Sequence, residues 1–523
     1  MAVTPVGITP GRPRPTVDEI VDCSNLTGTQ FLMWLGQQLD PDIPLYNMIQ
    51  TFRIGGAIDA AAFRRAWRGV VATSDAMRST ITVEEGVPRR IVAEADPEAD
   101  QADVEIVDLR AEEEPETAAR AWIDNRKTAP LALDERLWDT ALLIVGDDAA
   151  IWYLCIHHLV TDGQSFANTY RAMSERYALE REQRSGDAPA LPQYADYLAH
   201  ERAFRGSRRF DRSRAYWDAL VAEPHEPTEF YGRTPSRRSS ETDRLVVEID
   251  EQRCERLRLI ARRSEFSALS EQLAVSTLWA AVLFTTLHRI TGRTSLRVGT
   301  PFLGRPSAFR DTIGLFIEIG VLQVDIADDD TFESLARRLL RSTVDGLRHA
   351  TPGASTAAVN RSFDVLLNNV TSRFDDFAGC PVTTDWVHTG YGDRDHALRL
   401  QVSDFDERGR SRLHFDVNAD LFGEVEREWL LAQFDVVLET LLDDPGRRLG
   451  SFSLARDDDL QRMLVEFNAT DAPYRKDASV ISLFDAQAAA GPNAVAAEDA
   501  TRCVTYRELA DDSDAVALSL IHI

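Results

Sequence analysis

Lysine is nearly missing from this 523-residue chain. Lys127 and Lys476 are the only two among 58 basic residues, and arginine supplies the rest. Lysine nucleophiles and Schiff bases are thereby excluded over most of the chain. Cysteine is scarce and scattered: Cys23, Cys155, Cys254, Cys380 and Cys503 form no C-x-x-C pair. That spacing indicates neither a zinc site nor a redox dithiol, so no metal is expected. An odd, unclustered set fits a reducing, cytoplasmic setting. No run of about 18 apolar residues occurs, so a membrane-spanning helix is not expected. Met1 to Asp22 holds Pro5, Pro10, Pro13 and Pro15 but no apolar centre, which reads as a flexible leader and not a signal peptide. Positive charge is also in deficit: the net charge is −27 at pH 7. Such a chain repels phosphate backbones, which argues against nucleic acid as a partner.

What remains is an ordinary globular composition, with 44% hydrophobic and 27% charged residues. The length predicts about two to four compact units. Phe63, Trp67, Val70 and Val71 fall at helical spacing within 58–71. Residues 95–120 read as an acidic surface connection followed by a helix. Trp138–Val145 and Ile151–Ile156 are apolar runs around Gly146, Asp147 and Asp148, a hairpin pattern. A helical pattern follows Gly163 through Tyr170, Met173 and Tyr177. Residues 183–215 are polar and arginine-rich and read as a bridge. Beyond it, strands are expected at 246–249, 296–299, 321–324, 363–367, 398–402 and 413–417. A buried helix is expected at 269–290, and a helix at 422–442 with Val425, Trp429, Phe434, Val437 and Leu441 along one side. Interleaved strands and helices give an α/β (α+β) class. Residues 451–480 read as a linker, and 481–523 restart as a separate piece.

One segment carries chemistry: Ile156-His157-His158-Leu159-Val160-Thr161-Asp162-Gly163. A strand delivers two adjacent histidines to a turn, and alternation along the strand sends the two imidazoles to opposite sides. Imidazole titrates near neutrality and can take a proton from an amine or hydroxyl. The aspartate can pin local geometry through an arginine, and the glycine allows close backbone approach. Composition alone would produce this pattern on the order of once in a thousand chains of this length.

H-H-x-x-x-D-G resembles the signature of the condensation domains of nonribosomal peptide synthetases. Other motifs of that family stand in the same order. Leu26-Thr27-Gly28-Thr29-Gln30-Phe31-Leu32-Met33-Trp34 resembles the opening motif, and Pro44-Leu45-Tyr46-Asn47 follows it. Asp75-Ala76-Met77-Arg78-Ser79 resembles the second motif. Tyr194-Ala195-Asp196-Tyr197 and Tyr216-Trp217 resemble the fourth. Gly299-Thr300-Pro301, Gly304-Arg305-Pro306 and Ile313-Gly314-Leu315-Phe316 resemble the fifth and the stretch before it. Phe467-Asn468-Ala469-Thr470 and Val504-Thr505-Tyr506-Arg507-Glu508-Leu509 resemble the beginning of an adenylation domain, cut short at Ile523.

The resemblance implies two chloramphenicol-acetyltransferase-like lobes in a V-shaped pseudodimer, over 24–182 and 183–450, with the leader at 1–23. It implies amide formation between a carrier-bound acyl or peptidyl thioester and a carrier-bound aminoacyl acceptor. His158 would position or deprotonate the amine or orient the developing oxyanion. His157 would be structural or orienting, Gly163 would shape the loop, and Asp162 would pair with an arginine. Arg305 and Arg78 are both candidates for that arginine. The chain itself would bind no cofactor, its substrates riding on the phosphopantetheine of upstream and downstream peptidyl carrier proteins. The full-length protein's own adenylation domain would be a further partner. No membrane is implied.

Three places depart from the family pattern: Thr73-Ser74-Asp75, Ile317-Glu318-Ile319, and His349-Ala350-Thr351-Pro352. Glu318 reads as a solvated rim carboxylate, and Trp34, Tyr46 and Trp217 as core aromatics. An adenylation start after the domain argues against an epimerisation domain. A heterocyclisation domain would carry aspartates in place of the histidines. Plant-type acyltransferases add Asp-Phe-Gly-Trp-Gly, which is absent. An ester-forming enzyme with a hydroxyl acceptor and a silent module that recruits carriers or tailoring enzymes remain as alternatives.

Overall fold

The computed structural model describes residues 20–522 except 22, 97–102, 234–238, 264–269, 371, 404–408 and 456. Residues 1–19, most of the expected leader, therefore lie outside the described residues. Ile20 and Val21 do not belong to a leader: Val21 is buried in the core beside Leu26 and Phe31. Apolar side chains at the leader's end gain more from burial than extended chain gains from water.

Two mixed sheets build the unit Met1–Leu454. In the first, β1 (Asn47–Gly55) pairs antiparallel with β6 (Ala149–His157), and β6 with β5 (Trp138–Gly146). The hairpin expected from the apolar runs is thus present. The 95–120 segment hides β4 (Glu105–Asp108), which joins the edge of this sheet parallel to β5. Four residues are too few for a periodicity to declare itself. The other edge comes from far along the chain. Strand β11 (Val382–Val387) pairs antiparallel with β1, so the split at 182/183 does not follow sheet membership. Phe63, Trp67 and Val70 of the helix Ala60–Thr73 pack with Trp138 and Trp152 over one face.

The second sheet runs β7 (Thr242–Ile249), β13 (Ser411–Asn418), β12 (Leu398–Ser403), β10 (Val365–Val370), β8 (Ser295–Leu303) and β9 (Ile317–Asp325). All six expected strands are there, five enclosing the expected bounds and β10 beginning two residues later than expected. One face packs on the helix Glu271–Thr291, started by the Ser270 cap and stopped by Gly292 in the left-handed region. This helix is long and apolar enough to cross a membrane by composition, but it is the buried core helix of this lobe. The helix Glu424–Asp443 buries Phe434, Val437 and Leu441 as expected, whereas Val425 and Trp429 are about half exposed.

The polar stretch 183–215 is not a plain bridge. It forms the helices Tyr194–Arg205 and Arg208–Leu220, with Tyr194, Tyr197 and Trp217 buried. Few but large aromatics supply the buried area that the composition obscures. The second unit, Ala455–Ile523, holds the helices Val480–Ala490 and Tyr506–Ile521 and a small hairpin, Val495–Glu498 with Cys503–Thr505.

Candidate active site

The turn after β6 is fixed from several sides. The His157 N–H donates to the Leu137 carbonyl (2.8 Å), and the His158 N–H to the Tyr46 carbonyl (2.8 Å). Gln30 of the helix Gly28–Leu39 donates its amide to the Leu159 carbonyl at 2.7 Å. The opening motif therefore serves as a brace for the histidine turn.

The two imidazoles diverge, as alternation requires. His157 is buried; its Nδ1 accepts the Leu159 N–H at 3.1 Å. Its Nε2 faces Gln37 Oε1 at 3.3 Å, and the Gln37 amide nitrogen is committed to the carbonyls of Asp40 and Ile43. Gln37 oxygen must therefore accept, which assigns the His157 proton to Nε2. Burial, then the neighbouring His158, lowers the His157 pKa to about 3. Both ring nitrogens of His157 are thus bonded within the protein, away from the cavity.

His158 is half-buried and faces a cavity of about 250 Å³ between the two sheets. Its Nδ1 lies 2.8 Å from the Thr161 carbonyl, an acceptor only, so Nδ1 carries the proton. Nε2 is left with its lone pair available to the cavity. Burial holds the imidazole below its ordinary range, and the Asp162 carboxylate pulls part of the way back. Activity that needs neutral His158 should rise with pH through a value below 6.5 and stay flat from there towards pH 8. A pH profile of kcat/KM checks this; an acidic limb centred above 6.5 contradicts it.

Asp162 is fully buried and faces away from the cavity. Its Oδ1 accepts the Ser165 N–H (2.8 Å), capping the helix Gly163–Arg181. Its Oδ2 accepts the Phe316 N–H (2.9 Å). Arg305 Nη2 donates to Oδ1 (2.9 Å) and to Ser165 Oγ (2.5 Å). The guanidinium lies 3.7 Å over the Phe316 ring, and Nη1 donates to the carbonyls of Phe309 and Thr312. Of the two candidate arginines, Arg305 is the partner of Asp162. Arg78 is not: it is half-buried and donates to the Ala93 carbonyl. The second motif works through Asp75, which ion-pairs with buried Arg90 (2.9 Å) and accepts the N–H groups of Tyr194 and Ala195. Arg90 lies on β3 (Val87–Val92), paired antiparallel with β2 (Ser79–Glu84), and gave no sequence signal beyond alternation within that short strand.

Gly163 borders the cavity. A Cβ there would stand 3.2 Å from Ser372 Oγ and 4.0 Å from Val370, and the Ser372 hydroxyl donates to the Gly163 carbonyl. Gly163→Val is expected to crowd this wall and lower kcat/KM by about 10- to 100-fold with a thermal midpoint close to the parent's. Steady-state kinetics beside a melting curve test it.

Glu318, expected at a solvated rim, is buried. Its oxygens accept the N–H groups of Gly353 (2.7 Å) and Ser355 (2.8 Å). Its strand register turns it inward, where Gly304 leaves room. Burial raises its carboxyl pKa. Glu201 nearby holds the Gly28 N–H at 2.8 Å, and burial, then Glu318, lifts it to about 8. Trp217 is a core residue whose indole donates to the His349 carbonyl. Trp34 is half-buried against the first core. Tyr46 is the exception: it lines the cavity.

A family model described as the condensation domain matches residues 22–464. The chain belongs to the condensation domain family. The chain is 29% identical over 506 residues to an isonitrile lipopeptide synthase of Streptomyces coeruleorubidus, covering 94% of this chain and 33% of that protein. It is 24% identical to a dimodular nonribosomal peptide synthase of Bacillus subtilis, covering 95% of this chain and 21% of that one. The chain thus spans a third or less of the length of these relatives. Among solved structures it resembles the first condensation domain of the calcium-dependent antibiotic synthetase in complex with a substrate analogue. The TM-score is 0.71 at 26% identity, over 82% of this chain and 98% of that one. The starter condensation domain of rhizomide synthetase shares the fold, with a TM-score of 0.72 at 22% identity and coverage of 82% and 96%. Condensation domains are acyl-transferring, amide-forming enzymes of nonribosomal peptide synthesis, and they act in general on substrates carried by the phosphopantetheine of carrier proteins.

Proposed function

We propose that this condensation domain joins a carrier-bound acyl or peptidyl thioester to a carrier-bound aminoacyl acceptor, with His158 as the group that receives the amine. The observation that carries the reading is the fixed tautomer of His158. With Nδ1–H on the Thr161 carbonyl, Nε2 is a basic nitrogen facing the cavity. A neutral amine that donates an N–H to Nε2 turns its lone pair towards the thioester carbon, and Nε2 takes that proton as the nitrogen attacks. The C–N bond forms, the C–S bond breaks, and the departing thiolate takes the proton. Proximity of the two reactants in one cavity supplies much of the rate.

The Asp162–Arg305 pair touches no reactant and holds the turn, so both are positioning residues. Upstream and downstream peptidyl carrier proteins are the partners of this reading. Residues 451–480 act as a linker, and 481–523 belong to the start of an adenylation domain. The support for that last assignment is the pair of motifs at Phe467-Asn468-Ala469-Thr470 and Val504–Leu509.

The test is an assay with carrier proteins loaded with a panel of acyl donors and with amine or hydroxyl acceptors, products read by mass spectrometry. Amide products dependent on both loaded carriers are expected. Ester products alone would replace the reading by the ester-forming one. Carrier binding without any product would replace it by the recruitment module.

A further inference from the structure

The cavity wall opposite His158 carries a charge that the mechanism does not use. Along β12, Leu398, Leu400 and Val402 enter the core while Arg399 and Gln401 share the opposite face and border the cavity. Cross-strand from Arg399 stands Asp416, and cross-strand from Asp416 stands Arg244. The buried Asp416 carboxylate is already saturated. Arg244 Nε donates to Oδ1 (2.6 Å), Arg244 Nη2 to Oδ2 (2.9 Å), and Gln401 Nε2 to Oδ2 (2.6 Å). Gln401 oxygen in turn accepts from Asn368 (3.3 Å).

Arg399 is left over. Among the described residues it makes no ion pair within 4.0 Å, and its one hydrogen bond is a long one, 3.4 Å, to the Tyr391 carbonyl. Its position is nevertheless built. A Cβ on Gly392 would stand 2.6 Å from Arg399 Nη2, so the guanidinium packs directly against the Gly392 backbone. Among the described residues no other titratable group on this wall forms an ion pair with it, although Asp393 outweighs its charge at Tyr46 and His396. Burial holds His388 neutral, at about 4, and His414 at about 3. Asp393 and Asp395 act at a distance, on Tyr46 and His396, without bonding to Arg399. The charge of Arg399 is felt at both Tyr46 and His158, so it belongs to the reacting end of the cavity.

A planar guanidinium with open donors in a partly desolvated wall is a fork for a carboxylate. We propose that this domain selects a substrate bearing a carboxylate, which Arg399 holds in the cavity facing His158. The proposal rests on the acyl-transfer reading above. The carboxylate belongs either to the acceptor, as an acidic amino acid side chain, or to the donor, as the free end of a dicarboxylic acyl group.

Matched pairs separate the two sources: glutamyl against glutaminyl and aspartyl against asparaginyl carriers as acceptors, succinyl against butyryl carriers as donors. The acidic member of one set should be preferred by about 10- to 100-fold in kcat/KM. Arg399→Met should bring that ratio to about one, and Arg399→Lys should keep part of it. No preference in the parent overturns the proposal, as does a preference that survives Arg399→Met. Equal slowing of every pair by Arg399→Met also overturns it and assigns Arg399 to the shared pantetheine arm. If no pair gives amide, the acyl-transfer reading fails. Calorimetry with the unreactive amides of pantetheine carrying glutamyl, glutaminyl, succinyl or butyryl groups then decides the proposal alone: the acidic member of one pair must bind more tightly, and only while Arg399 is present.

Discussion

Replacing His158 by alanine is expected to cut amide formation by about 10²–10⁴-fold while leaving the urea midpoint close to the parent's. The first half follows from the lone pair of Nε2, the nitrogen of the turn that faces the cavity with its partner atom already fixed. The second follows from how little of the turn depends on that ring. The imidazole makes one hydrogen bond, to Thr161, whereas the backbone of the turn is held by Tyr46, Leu137 and Gln30. His157→Ala should behave in the opposite way. It leaves the Leu159 N–H and the Gln37 oxygen without their buried partner, so stability falls first and activity follows. Initial rates with saturating carriers, read beside urea melts of both variants, separate a chemical role from a structural one. Equal losses of rate in the two variants at equal stability would contradict the division of labour.

Asp162→Ala is expected to cost about 3–5 kcal/mol, the usual consequence of removing one partner of a buried pair. Three donors lose their acceptor at once: the N–H groups of Ser165 and Phe316, and Arg305 Nη2, which contacts both carboxylate oxygens. Arg305 then remains charged and buried against the Phe316 ring and Ser165 Oγ. Arg305→Met should be milder than Asp162→Ala, because Ser165 and Phe316 keep their acceptor. The double variant Asp162→Leu with Arg305→Met should recover part of the stability, since no unpaired charge is left inside. It should not recover activity, because the helix Gly163–Arg181 has lost the cap that begins it two residues beyond Thr161, the anchor of His158. Urea denaturation of the parent, Asp162→Leu, Arg305→Met and the double variant gives the coupling energy. Additive losses would mean that the two side chains act independently.

Arg78 carries no such weight. It is half-buried, donates to the Ala93 carbonyl and holds no carboxylate, so Arg78→Ala is expected to cost about 1 kcal/mol, read by urea denaturation.

The amino-acid sequence by itself determined the chemistry-bearing turn. Two histidines at the end of an apolar strand must diverge, and an aspartate followed by glycine at a helix start is a cap with room beside it. These are consequences of local geometry, so they survive whatever the rest of the chain does. It also determined the family, because motifs such as Gln30, Gly163 and Arg305 hold their order along the chain. Hydrophobic periodicity marked the helices after Gly163, at 269–290 and at 422–442, and the six strands of the second sheet, whose alternation runs for several residues, but not the helix Phe332–His349. It missed β4, which is too short to show a period, and β1 and β11, whose polar and apolar residues are mixed on an internal and an edge strand.

Only the tertiary structure decided who meets whom. Asp162 and Arg305 are 143 positions apart, and Asp75 and Tyr194 are 119. No local pattern distinguishes Arg305 from Arg78, since both are arginines near a motif and the choice depends on which loop crosses to the other sheet. The burial of Glu318 turned on strand register, where a shift of one residue would have put it in water. The unpaired state of Arg399 turned on Asp416 being claimed first by Arg244 from another strand. Sequence spacing reports the direction in which a side chain leaves its own backbone; its partner, its exposure and its charge balance are properties of the surfaces that fold against it.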